Sequence, residues 1–135
     1  MIKALIVDQA DDDSVSASIH EIEVSQLPDD GEVDIAVEYS TINYKDGLCL
    51  NGLGRLVRNY PHVPGIDLAG TVISSRADGI AAGDRVTMNG FRSGEIRWGG
   101  YATQANGKAE WIVKLPDGMS TVSYTHLRAH ETRFY

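Results

Sequence analysis

The chain has 135 residues, enough for one domain with a real core, and its 42% hydrophobic and 23% charged content is that of an ordinary globular protein. The formal net charge is −7 with the acids spread along the chain, which argues against nucleic acid as a main partner, since neutralising a phosphate backbone needs a basic face. A single cysteine, Cys49, excludes an intramolecular disulfide and a multi-cysteine zinc site, and reads as a small buried apolar residue rather than a reactive thiol.

The first element is a strand, Ile2 to Val7. The N-terminal apolar run is far too short for a signal peptide or a membrane span, and acidic residues follow it, so the chain reads as cytoplasmic with no membrane partner. Val15 to Val24 alternates in part, with Val15, Ala17, Ile19, Ile22 and Val24 expected inward. Val33 to Tyr39 alternates cleanly, with Val33, Ile35 and Val37 on one face. A short helix is predicted over Tyr44 to Asn51 with Asn43 as N-cap, although Gly47 weakens it. Strands follow at Ile66 to Ile73, Arg85 to Met88, Tyr101 to Gln104 and Trp111 to Leu115. Turn chemistry separates them: Pro28-Asp29-Asp30-Gly31, Asp78-Gly79, Gly83-Asp84, Asn89-Gly90, Asn106-Gly107 and Pro116-Asp117-Gly118. Many short strands with regular turns predict a barrel or sandwich.

The last segment differs in character. Val122 to Thr132 (VSYTHLRAHET) matches, codon by codon, one reading frame of a transposon-based sequencing adapter. The other reading is a native helix presenting His126 and His130 on one face to a metal. The specificity of the match favours the adapter, so residues 121–135 are set apart from functional reasoning.

The densest polar region is Tyr39 to Gly70, where loop residues cluster among glycines on a β scaffold. Here the ordered set Asn43-Tyr44-Lys45-Asp46, Asn59-Tyr60-Pro61-His62-Val63-Pro64-Gly65-Ile66-Asp67-Leu68-Ala69-Gly70, Gly83-Asp84-Arg85-Val86 and Trp98-Gly99-Gly100-Tyr101-Ala102 resembles the medium-chain dehydrogenase/reductase superfamily. The Asn43-Tyr44-Lys45-Asp46 form is similar to its zinc-free acrylyl-CoA reductase and quinone oxidoreductase branch, of the YhdH/AcuI type. The resemblance implies a mainly β, GroES-like, partly open barrel with one or two short helices over residues 1–120. In that superfamily a Rossmann domain follows, with NADPH in the cleft between the two and a homodimer formed through the Rossmann domain. Gly52-Leu53-Gly54 begins like a dinucleotide fingerprint, but Val57 stands at the third glycine position and no βαβ pattern surrounds it. The fragment alone is therefore expected to be inactive.

Zinc-dependent members carry Gly-His-Glu where this chain has Gly65-Ile66-Asp67, and Ile66 cannot ligate a metal. The expected activity is NADPH-dependent reduction of an activated alkene such as acryloyl-CoA, with a quinone as the alternative acceptor. A reading of a different class is a stand-alone GroES-like binding module without catalysis. By resemblance, Asn43 and Tyr44 lie at the nicotinamide end, and Tyr44 is the candidate proton donor. Related enoyl-thioester reductases carry a tyrosine near the position of Gly54, so that donor is missing here, and Tyr44, a bound water or a residue of the cofactor domain must serve instead. Lys45, Arg55 and Arg58 are candidate contacts to a CoA thioester's phosphates. Asp46 and Asp67 read as structural carboxylates, and His62, Trp98 and Trp111 as packing residues, with Arg92 and Glu95 on a loop near the cleft.

Overall fold

The computed structural model describes residues 1–121 and residue 123. Its strands are β1 (Ile2–Gln9), β2 (Val15–Ile22), β3 (Val33–Ser40), β4 (Asp67–Ser75), β5 (Arg85–Asn89), β6 (Gln104–Gly107) and β7 (Ile112–Lys114), and helix α1 spans Tyr44–Leu50. Val122 and residues 124–135, on which most of the adapter reading falls, lie outside the described residues. No described helix is long and apolar enough to cross a membrane.

β1 and β2 form a hairpin, and the other strands form an antiparallel sheet in the order β6-β3-β4-β5-β7. The sheets do not close, so the mainly β, partly open architecture expected from the sequence is what the chain adopts. β3 follows its alternation, with Val33 and Ile35 fully buried and Val37 partly so. These side chains meet Leu68, Val72, Val86, Met88 and Ala105 in one core, against which Trp111 and Ile112 pack. A second core gathers Ile2, Ala4, Ile22, Leu27 and Val63, with Trp98 and Tyr101 against it.

The hairpin is fastened by backbone. Val7 N–H donates to His62 C=O and His62 N–H to Val7 C=O, at 2.8 and 2.9 Å, while Leu5 N–H donates to Tyr101 C=O at 2.8 Å. These bonds bring the Pro61–Gly65 turn and the Gly99–Thr103 segment against the same strand, which gives the loops a rigid floor.

Two sequence expectations need correction. In β2 only Ile22 is buried, whereas Ile19 is 73% exposed and Val24, in a 3-10 turn, is 46% exposed. β2 is the outer strand of a two-stranded sheet, so its alternation has no second layer to face as far as Ile22. The strand expected at Tyr101 to Gln104 begins at Gln104 instead. Residues 100, 101 and 103 spend their N–H groups on Gly65, Pro64 and Lys3 carbonyls, outside a regular ladder.

Leu68 is fully buried at the centre of the first core. Leu68→Ala is expected to cost about 2–5 kcal/mol in urea unfolding, and Ile19→Ala to change stability by less than about 0.5 kcal/mol.

Candidate active site

α1 follows β3 after a short turn, and one carboxylate decides how it is seated. Asp46 is fully buried and accepts from Gly65 N–H at 3.2 Å and Ile66 N–H at 3.0 Å. Its other oxygen accepts from Asn43 N–H at 3.1 Å and from the Asn43 amide nitrogen at 3.2 Å. The residues satisfy donors at the helix start and in the Pro64–Asp67 turn together, which is the reason an Asn-x-x-Asp pattern opens this helix. Burial pushes the Asp46 carboxyl above its usual range, against the downward pull of those N–H donors.

Asn43 is held from a second side. Its amide nitrogen donates to Thr41 Oγ1 at 2.8 Å and to Asp67 Oδ2 at 3.2 Å, and Thr41 Oγ1 also donates to Asp67 at 3.1 Å. Asp67 is 1% exposed. Tyr101 donates its hydroxyl to Thr41 C=O at 2.8 Å, and burial together with the Asp46 and Asp67 charges holds that phenol far above its ordinary range, so it stays protonated. Next to this immobile lattice, Tyr44 is 83% exposed and Ile42 91% exposed. The chain therefore offers an aromatic ring and an aliphatic side chain to solvent on either side of a fixed amide.

The segment from Gly90 to Tyr101 closes over the other side of α1. Phe91 and Arg92 both have positive φ, 55° and 58°, a region that costs a residue with a side chain about 1–2 kcal/mol. The strained turn delivers Glu95, 4% exposed, between Lys45 Nζ at 3.3 Å and Arg92 Nε at 3.1 Å. The Gly94 carbonyl accepts from Cys49 Sγ at 3.3 Å and from His62 Nε2 at 2.7 Å, so this His62 tautomer carries its proton on Nε2. Burial, with the Asp46 and Glu95 charges, pushes the Cys49 thiol up to about 11, which leaves it an inert packing group. A Cβ on Gly94 would lie 2.6 Å from the Gly65 carbonyl carbon, and one on Gly65 would lie 2.6 Å from Tyr101 N, so this crossing of three backbones admits no side chain.

The candidate residues thus fall into two places. Asn43, Tyr44 and Lys45 stand at the start of α1, and Lys45 is engaged by Glu95. Arg55 and Arg58 instead line a cavity of about 220 Å³ with Gln9, Gly52, Leu53, Leu56, Val57 and Tyr60. Lys45 does not line it. Sequence reasoning passed over Thr41, Gly94 and Tyr101 as parts of the site. The Thr41-x-Asn43-x-x-Asp46 spacing carried a capping signal for the first of these, but the partners of the other two lie dozens of residues away. Among the described residues no group of three or more His, Cys, Asp or Glu is disposed to hold a metal ion.

This architecture, with α1 seated against the sheet and a glycine-bearing turn beside it, belongs to a recognised class. Residues 29–117 match the alcohol dehydrogenase GroES-like domain, and the chain is a member of that family. Over 122 residues it is 50% identical to the acrylyl-CoA reductase AcuI of Ruegeria pomeroyi, an alignment covering 90% of this chain and 37% of that protein. It is 44% identical over 108 residues to the putative quinone oxidoreductase YhfP of Bacillus subtilis, covering 80% of this chain and 32% of the relative. The crystal structure of the YhdH oxidoreductase from Salmonella enterica in complex with NADP superposes with a TM-score of 0.87 at 42% identity, covering 91% of this chain and 37% of that one. The chain therefore spans about a third of the length of the relatives it matches.

Asp46→Asn replaces an acceptor oxygen with an NH2 group facing N–H donors, and is expected to cost about 1–3 kcal/mol in urea unfolding. A second expectation concerns pH. Burial holds His62 below its ordinary value of 6.5, so the unfolded chain takes up a proton that the folded chain refuses. Stability falls as pH drops below about 6.5, and His62→Gln should flatten that part of the melting temperature against pH curve. Asp46 has the opposite sign, its raised pKa favouring the fold at low pH.

Proposed function

We propose that this chain is the N-terminal catalytic domain of a zinc-independent, NADPH-dependent oxidoreductase that reduces an activated alkene such as acryloyl-CoA. The observation that carries the reading is the 50% identity to an acrylyl-CoA reductase across 90% of the chain, which includes the whole Asn43–Asp46 and Pro64–Gly70 framework. In this reading residues 1–120 form the catalytic domain and residues 121–135 are not part of it. The parent protein acts in the cytoplasm on a small-molecule substrate, and pairs as a homodimer through its cofactor domain.

The residues present suit one wall of a nicotinamide site. A flat heterocycle needs an apolar face, and Tyr44 and Ile42 are large, exposed and adjacent in the chain to an amide that cannot turn. Bound NADPH would supply the hydride. The protein's own contribution is orientation and proton control. Asn43, fixed by Thr41, Asp46 and Asp67, holds the start of α1 in place. Tyr44 covers a ring face and offers its hydroxyl proton to the substrate's α-carbon, with no tyrosine at Gly54 to share that work. Arg55 and Arg58 bring positive charge to the substrate side, while Lys45, paired with Glu95, stands apart at the start of α1. Ile66, lacking a ligating atom beside Asp67, fits a site that works without zinc. The second reading, a quinone as acceptor, is favoured by the 44% identity to YhfP.

The test grafts residues 1–120 onto the R. pomeroyi relative in place of its matching segment. The chimera is expected to oxidise NADPH with acryloyl-CoA, and Tyr44→Phe to lower kcat by about 10- to 100-fold with a smaller change in KM. Turnover with a quinone but not with acryloyl-CoA would favour the second reading. A folded chimera inactive on both would leave the non-catalytic binding module.

A further inference from the structure

The cavity at the C-terminal end of α1 has an unusual lining. Its polar side chains are Arg55, Arg58, Gln9 and Tyr60, all able to donate, and no carboxylate among the described residues lines it. The rest is apolar: Leu53, Leu56 and Val57, with Gly52. The chain carries 19 acidic residues against 12 basic ones, so a cavity edged by two arginines and no acid runs against its composition. Several other cations among the described residues are committed: Lys45 and Arg92 to Glu95, Arg76 to Gly31 C=O, Arg97 to Asp30 and Lys114 to Asp84. Arg55 and Arg58 form no such pair with any described residue. The backbone adds to this. Gly52, Gly54 and Arg55 have φ of 67°, 71° and 52°, so Arg55 is held in a left-handed turn that a side chain ordinarily avoids.

Size narrows the ligand. At about 220 Å³ the cavity falls below the roughly 300–1,000 Å³ of sites that enclose a whole drug-sized molecule. It suits one end of a longer ligand: an anionic group for the two guanidinium groups, next to an apolar patch. Planar guanidinium forks match phosphate oxygens in pairs, whereas a neutral quinone would leave both charges unanswered. The cavity also stands away from Tyr44. α1 has seven residues, so its two ends are separated by about 10 Å, and a ligand reaching both must carry its phosphate on an arm.

We propose that the cavity lined by Arg55 and Arg58 is an anion subsite for the phosphates of the substrate's carrier group, and that it selects a phosphorylated thioester over a quinone. The proposal rests on the reductase reading for the identity of that carrier, but the site itself is read by binding alone. The experiment is calorimetric titration of this chain at low salt with pyrophosphate, coenzyme A, N-acetylcysteamine and NADP⁺ in turn. The comparison is with an Arg55→Asn/Arg58→Gln variant, in which Asn keeps the left-handed turn at position 55. Circular dichroism checks that the variant is folded, and Arg58→Lys, which keeps the charge without the fork, is the second variant.

Pyrophosphate and coenzyme A are expected to bind and to compete with each other. The double variant should weaken both by about ten-fold or more, and Arg58→Lys by less. N-acetylcysteamine, which has a similar thiol arm but no phosphate, should not bind. Equal binding of pyrophosphate and coenzyme A to wild type and a folded double variant would overturn the site, as would no binding of either to the folded wild type. NADP⁺ binding more tightly than coenzyme A, and lost in the double variant, would overturn the assignment to the substrate. None of these outcomes depends on turnover, so an inactive chimera would defeat the reductase reading while leaving the anion site standing.

Discussion

The buried carboxylate of Asp46 is the constraint on which the site depends. A charge with no solvent exposure is expensive to hold unless N–H donors surround it, and here they come from Asn43, Gly65 and Ile66. That requirement ties the start of α1 to the turn that opens β4. α1 is only seven residues long, too short to persist by itself in water, so its position comes from these contacts and from packing. Once Asp46 is seated, Asn43 is aligned with Thr41 and Asp67, and Tyr44 has no direction left but outward.

The segment around Gly94 acts as the clamp on the opposite side. Its carbonyl collects protons from Cys49 and His62, one on the helix and one on the proline-rich turn, while Glu95 neutralises Lys45. A lysine in the first turn of a helix meets the positive end of the helix dipole, and a buried glutamate alongside offsets that repulsion. The strained backbone at Phe91 and Arg92 is the local cost of bringing Glu95 under the helix. Much of the site's rigidity therefore comes from backbone carbonyls and glycines rather than from the side chains that would touch a ligand.

The parts legible in the sequence were those set by short-range pattern. The alternation in Val33 to Tyr39 gave the right inward face, and the Asn43 cap gave the helix within one residue of its end. The face of β2 was misjudged because alternation records which side could be apolar, not whether a layer exists to cover it. The late start of β6 was invisible because its cause is a set of bonds to residues 3, 64 and 65, remote in sequence. Arg55, Arg58 and Lys45 read as one basic group along the chain, yet Lys45 sits in the first turn of α1 against Glu95 while the two arginines line the cavity past the helix's other end. The pairing of Cys49 and His62 on one carbonyl had no sequence signal at all, since neither spacing nor residue type marks Gly94 as an acceptor.

The two tryptophans sit in different surroundings. Trp111 packs against the core of the five-stranded sheet, with the Phe91 ring stacked 5.7 Å away and Arg97 and Lys108 over its face at 5.4 and 5.3 Å. Trp98 packs against the hairpin core and donates its indole N–H to Pro61 C=O at 3.2 Å. Each half of the fold therefore carries its own built-in optical probe. Single-tryptophan versions would separate their emission, one indole shifted by two nearby cations and the other by a carbonyl. Loosening of the hairpin from the sheet would then register as a change in one colour before the other, without any label being attached.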